Sequence, residues 1–256
     1  MVNAFVAILL IAPLLGILGT MAVNNKMAFF SDALGHSALT GIAIGVMLGI
    51  DNMLISMIGF GVLLSLLITR VKAANSASAD TVISVFSSTS TALGLVVLSI
   101  GGGFSKYSQY LIGDILSVSG SEILVLVLTL VVVLVVWGLI YNKLMLVSIN
   151  PDLAASRGIN HRLVENVFVV LVAAVVMVAI KWVGIMLINS LLILPAAAAR
   201  NIAKNSKTHL IYTVIISVCS GVIGLLVSFY IDSSAGATIV LTAAVVYFIS
   251  LIFRRK

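Results

Sequence analysis

Charge is what this sequence has least of. Its 256 residues include 14 basic and 8 acidic side chains, 9% in all, where a soluble domain carries roughly 25%. Hydrophobic residues make up 62%, and the mean hydropathy is +1.29. So few polar groups cannot cover a globule, which excludes a soluble fold. Disorder is excluded too, because it needs low hydrophobicity and high charge. Cys219 is the single cysteine, so there is no disulfide framework. Also missing is the G-x-x-x-x-G-K-[ST] phosphate loop, so the chain does not bind ATP by that route. Any energy must come from a partner or an ion gradient. The H-E-x-x-H and G-x-S-x-G motifs are absent as well, which argues against the commonest metalloprotease and serine hydrolase sites.

What is there is a series of long apolar runs. A helix crossing a bilayer needs about 20 mostly apolar residues, and only helices or closed barrels satisfy the backbone in lipid. These runs are continuous, not alternating, so helices are the choice. Spans are predicted at 3–23, 28–50, 53–69, 81–100, 121–141, 163–180, 183–199, 209–230 and 235–253. The segment from Tyr107 to Val118 is apolar but short and reads as a re-entrant or interfacial helix. The expected fold is therefore an all-α polytopic membrane protein of eight or nine transmembrane helices. It forms one transmembrane domain over 1–256, with no room for a soluble domain. The first run lacks a basic flank and a clear cleavage site, so it is read as a span, not a signal peptide.

Basic residues collect in short cytoplasmic loops. With nine spans and the N-terminus outside, the inner side holds Lys26, Arg70, Lys72, Lys143, Arg157, Arg162, Arg200, Lys204, Lys207, Arg254, Arg255 and Lys256. Only Lys106 and Lys181 fall outside. The C-terminus is thus expected in the cytoplasm. The net charge of +6 is a topology signal spread over short loops and not a nucleic-acid footprint.

Charged groups at bilayer depth are costly, and each is a functional hypothesis. Asp32 and His36 are four residues apart, which places them one turn apart on one helical face. A carboxylate and an imidazole so placed suit a transition metal such as zinc. They equally suit a structural ion pair or a helix end with Asp32 as a cap. Two ligands do not complete a tetrahedral site; a second copy of the chain, water or another helix would add the rest. Thr40 continues the stripe with a hydroxyl. The adjacent stripe of Ala33, Ser37, Gly41, Gly45 and Gly49 is small and suits close approach of another helix.

Residues 148–162 form the longest polar loop. Asn150-Pro151-Asp152 signals a helix start, a short helix follows from Asp152 to Arg157, and Gly158 stops it. That helix either connects two spans or docks into a soluble partner. In 184–200, Asn189 and Ser190 precede Pro195, which is expected to kink or break the helix. Broken helices often border substrate pathways, though a kink satisfied by its neighbours is an equal reading. The hydroxyls Ser84, Ser87, Ser88, Thr89, Ser90 and Thr91 either line a wet path or bond across helices, the second being favoured. Asp114 and Asp232 are ligands at the outer face or plain helix-end charges.

Four stretches together resemble the permease subunits of bacterial zinc and manganese uptake systems, the ABC-3 metal permease family. They are MAFFSDALGHSALTGIAIG (27–45), YLIGDILSV (110–118), SINPDLAASRGI (148–159) and KWVGIMLINSLLILPAAAAR (181–200). YIDSSAGATIVL (230–241) is similar too, and the likeness runs in order along nearly the whole chain.

The resemblance implies that Asp32 and His36 contact a passing metal; Thr40, Asp114, Asn189, Ser190 and Asp232 stand as further candidates for its path on the reading of the residues above. The resemblance implies that Asp152, Leu153, Ala154, Ala155, Arg157 and Gly158 form the cytoplasmic coupling helix that meets the ATPase. It implies a permease dimer in the bacterial cytoplasmic membrane, two separate ATPase subunits and an extracytoplasmic metal-binding protein. The chain would not itself be an enzyme and would hold no permanent cofactor; Zn2+ or Mn2+ would be cargo. Departures are Ser31, where Gly often precedes the Asp, and Thr40, where manganese-type members often have Pro. The wording HSAL (36–39) is closer to zinc-type permeases. Alternatives are a manganese or iron importer of this family, a proton-coupled secondary transporter or channel, and an intramembrane enzyme using Asp32 and His36 as acid and base.

Overall fold

The computed structural model describes residues 1–74, 78–100, 113 and 115–254. Among them every regular element is helical. In chain order these are α1 (Val2–Asn24), α2 (Phe30–Met47), α3 (Met53–Ala74), α4 (Ala79–Ile100), a 3-10 turn (Ile115–Ser117), α5 (Gly120–Ile149), α6 (Pro151–Ser156), α7 (His161–Ile202), α8 (Ser206–Tyr230) and α9 (Ala235–Ile252). The runs of Leu, Val, Ile and Ala become helices because a helix pairs its backbone groups within itself, as lipid requires.

Among the described residues, seven stretches are long and apolar enough to cross a membrane. They are α1, α3, α4, α5, the first arm of α7 (His161–Ile185), α8 and α9. The second arm of α7, Leu187–Ile202, is apolar but shorter. The all-α membrane class expected from composition is met. The predicted re-entrant segment lies mostly outside the described residues; Gly113, the turn Ile115–Ser117 and the buried Val118 are what is described of it.

Local signals set several helix ends. At the end of α2 the Gly49 N–H donates to the Val46 carbonyl (3.3 Å) and the Ile50 N–H to the Gly45 carbonyl (2.9 Å). With Gly49 at φ 67°, this is a Schellman stop. The helix thus ends before the last glycine of its small stripe. α8 opens with a capping box between Asn205 and Thr208, which satisfies two otherwise orphan donors.

The chain divides into two compact units. The first comprises the described residues of Met1–Asn24, Tyr110–Leu134 and Ala179–Lys256. Here α1 packs on α8, and α8 on α9. A Cβ on Gly221 would lie 2.8 Å from Ile8, and one on Gly224 would lie 2.5 Å from the Ile239 Cα. Gly19 faces the Leu192 carbonyl so closely that no Cβ fits. The Ser217 hydroxyl donates to the Ala12 carbonyl at 2.7 Å.

The second unit comprises the described residues of Asn25–Gln109 and Val135–Val178. α2 is its centre, packed on both α3 and α4. The small stripe takes α3: a Cβ on Gly41 would sit 2.9 Å from the Met57 Cα, and one on Gly45 would sit 2.9 Å from Ser56. The Ser56 hydroxyl donates to the Gly41 carbonyl at 2.5 Å. Close approach through small residues with hydroxyl bonds across the crossing is how helices associate where lipid removes the hydrophobic drive.

The predicted break at Pro195 is corrected. The non-helical residue in α7 is Gly184, at φ 74° and ψ 164°, and Pro195 sits inside the continuous second arm. A proline costs its helix one donor and a bend. A backbone at Gly184's angles leaves the helical region altogether and is open essentially to glycine alone.

Candidate functional site

Asp32 and His36 lie at the start of α2. Phe29 occupies the N-cap with no side-chain capping bond, which makes Asp32 the third helical residue. A carboxylate in a first turn is favoured by the helix dipole, so part of Asp32's presence has a structural cause. The pairing with His36 does not follow from that cause. His36 Nε2 and Asp32 Oδ1 are 3.6 Å apart, and the two side chains are 43% and 45% exposed. Donors about 2.0–2.2 Å from a tetrahedral zinc lie roughly 3.4 Å from each other. The pair is therefore close to the separation of two ligands of one ion. It is an incomplete set: among the described residues no group of three or more His, Cys, Asp or Glu could hold a metal. Half-exposure with two donors suits brief contact with a passing cation better than permanent capture. Beside the pair, Ser31 is buried, and its hydroxyl has no hydrogen-bond partner among the described residues.

Thr40 lies one turn beyond His36 and has a different environment. It is 4% exposed, and its hydroxyl donates to the Ser90 carbonyl. The Ser90 hydroxyl in turn donates to Thr40 Oγ1 at 3.3 Å. On α4, a Cβ on Gly94 would meet the Thr40 N at 2.7 Å. Ser90 thus bonds across helices, whereas Ser84, Ser88 and Thr89 are exposed.

The predicted loop helix forms as α6. The Asn150 side chain accepts from the N–H groups of Asp152 and Leu153, both at 3.0 Å, and Pro151 takes the first turn. Gly158 stands at φ 73°. Its N–H donates to the Ala155 carbonyl, and that of Ile159 to the Ala154 carbonyl, a second Schellman stop. Ala154 is fully buried and anchors the helix, while Asp152, Leu153, Ala155 and Arg157 are exposed. Leu153, apolar and 43% exposed, thus lies between the exposed Asp152 and Arg157 on the same short helix.

The other candidates scatter. Asn189 and Ser190 are half-buried near the start of the second arm of α7. Asp232 is exposed at φ 50° just past α8, with the Ser233 N–H donating to the Ser228 carbonyl at 3.0 Å; this is a helix-end geometry. Asp114 lies outside the described residues.

Sequence reasoning missed the contact at the break in α7. Gly113, at φ 68°, lies so close to Val183 and Gly184 that neither a side chain nor a shift of backbone is accommodated. Nearby, Lys181 Nζ pairs with Glu122 Oε1 at 2.5 Å and lies 5.9 Å from the Trp182 ring centroid. The signal was the order Lys181, Trp182, Gly184, a charge and an aromatic flanking a glycine between two apolar runs.

Comparison with known proteins gives a consistent outcome. The chain is 30% identical over 254 residues to the manganese import system permease protein ScaB of Streptococcus gordonii, covering 99% of this chain and 91% of that one. It is 29% identical over 257 residues to the high-affinity zinc uptake system membrane protein ZnuB of Haemophilus influenzae, covering 100% and 97%. Among solved structures, PsaBC from Streptococcus pneumoniae in complex with Fab superposes with a TM-score of 0.84 at 28% identity, covering 97% of this chain and 89% of that chain. The sequence pattern of the ABC 3 transport family matches residues 1–254, and the chain belongs to that family.

Proposed function

We propose that this chain is the permease subunit of an ATP-driven importer that carries a divalent metal ion, Zn2+ in our reading, into the cytoplasm. The observation that carries the reading is the Asp32–His36 pair on α2, half-exposed and spaced as two ligands of one ion, in a chain that belongs to the ABC 3 transport family. Relatives named for zinc uptake and for manganese import are almost equally similar. The wording HSAL at 36–39 favours zinc, and manganese is the second reading.

The mechanism follows from these residues. Metal handed over by an extracytoplasmic binding protein enters between two copies of the chain. Asp32 and His36 replace part of its hydration shell, and the twin copy or water supplies the remaining donors. With only two strong ligands per chain, the ion is released readily. Asp114, Asn189, Ser190 and Asp232 are the further positions assigned to the path; Thr40, whose hydroxyl is spent on the crossing with α4, is left to packing. ATP hydrolysis on separate subunits is received at α6, through Asp152, Leu153, Ala154, Ala155, Arg157 and Gly158, and alternates access. The break at Gly184 divides α7 into two crossings. Together with α2 this makes nine spans within one permease domain of the bacterial cytoplasmic membrane, with the C-terminus inside.

The test is rescue of a strain deleted for its own importers, with zinc, manganese and iron supplied separately. Growth restored at limiting zinc, and lost with Asp32→Ala or His36→Ala at matched membrane levels, supports the reading. Rescue by manganese alone moves the assignment to manganese. Undiminished rescue by both variants removes the metal-contact role.

A further inference from the structure

Away from Asp32 and His36, a cavity lies at the junction of the C-terminal end of α3 with the N-terminal end of α7. The cavity, of about 550 Å3, is lined by Leu66, Thr69, Arg70, Ala73 and Ala74 of α3 and by Arg162, Glu165 and Asn166 of α7. Two contacts hold the helices together around it. Thr69 Oγ1 and Asn166 Oδ1 are 3.3 Å apart, and Lys72 Nζ lies 2.5 Å from Glu165 Oε1.

The second contact decides the electrostatics. Lys72 and Glu165 neutralise each other. Arg70 and Arg162 then remain as two guanidinium groups on one cavity, and among the described residues neither is paired with a carboxylate. Two like charges facing one partly enclosed space repel, and each presents several N–H donors in a fork suited to phosphate oxygens. An anion between them relieves the repulsion and satisfies the donors. The apolar rim at Leu66 adds a second requirement, a ligand with an apolar portion on one side. Basic pockets between membrane helices on the cytoplasmic side are suited to anionic lipid head groups.

We propose that Arg70 and Arg162 form a phosphate-binding site whose occupant is the head group of an anionic phospholipid, with its acyl chains running past Leu66. No bond is made or broken. The site acts where α3 meets the segment that leads out of α6, so its occupancy holds the start of α7 against α3. The Asp32–His36 proposal is independent of this one.

The experiment uses the permease assembled with its ATPase in nanodiscs of phosphatidylcholine with or without phosphatidylglycerol. Retained lipid per complex is read by native mass spectrometry, and inorganic phosphate is titrated in a parallel arm. The wild type is expected to retain phosphatidylglycerol. Arg70→Gln with Arg162→Gln should weaken retention roughly 30-fold, the combined effect of two basic side chains at an anionic surface. The Arg→Lys pair should fall between, keeping charge but losing the fork. Phosphate binding in lipid-free detergent, lost in the Gln pair, supports the site with free phosphate as its source. Equal retention of both ligands by wild type and Gln variant overturns the proposal. So does a Gln variant that keeps its lipid but sheds its ATPase, which would make the surface a protein contact.

Discussion

His36 and Thr40 stand one turn apart on α2, and the structure uses them in opposite ways. Thr40 is buried at 4%, its hydroxyl given to the Ser90 carbonyl across a crossing that Gly94 makes tight. His36 is 43% exposed and faces Asp32 at 3.6 Å. The hydroxyls of Ser56 and Ser217 follow Thr40, each closing a helix crossing on a neighbour's carbonyl. Some polar residues of these helices are thus given to packing, whereas Asp32 and His36 face each other half-exposed. In the proposed function the first group is structural and the second meets cargo.

The sharpest break in that comparison comes from the packing side. Gly94→Leu would drive a side chain into the backbone of Thr40, at a cost of roughly 3 kcal/mol. Loss of monodisperse folded protein, read by fluorescence-detected size exclusion, is the expected outcome. Gly184→Ala comes next. At φ 74° and ψ 164° the alanine strains the backbone by about 1–3 kcal/mol, and a lower melting temperature in detergent should accompany reduced uptake. Gly158→Ala, at φ 73°, costs about 1–2 kcal/mol locally. It should weaken recovery of the ATPase while leaving the melting temperature of the membrane helices nearly unchanged. The smallest effect belongs to Thr40→Val, about 0.6 kcal/mol for one hydroxyl bond between membrane helices, with metal uptake close to wild type. Should Thr40→Val abolish uptake in folded protein, the division between packing and cargo groups collapses.

Much of this was legible in the residues. Scarce charge and unbroken apolar runs specify membrane helices, because lipid leaves the backbone few choices. Asn150, Pro151 and Gly158 mark α6 because capping and positive φ are local properties. The stripe of small residues foretold a close crossing, though not that α3 would make it. That α7 divides into two spans was legible, as 163–180 and 183–199; that Gly184 makes the division was not. Pro195 carries the stronger local signal, yet a helix absorbs a proline by bending. At the break Gly184 lies against Gly113, distant in sequence, with no room for a Cβ on Gly113, and local patterns do not encode that contact. The cavity between α3 and α7 was hidden likewise, since only folding sets Lys72 against Glu165 and leaves Arg70 and Arg162 facing one space.

The account rests on the half-exposed Asp32–His36 pair at the start of α2. Its most direct test is ATP-dependent zinc uptake by proteoliposomes holding the permease with its ATPase, comparing wild type with Asp32→Ala/His36→Ala at equal assembly and equal melting temperature. The account predicts a loss of uptake of about a hundredfold, each lost ligand contributing roughly tenfold as one step of 1.4 kcal/mol, with the ATPase still bound. Uptake at the wild-type rate by the assembled double variant would contradict it.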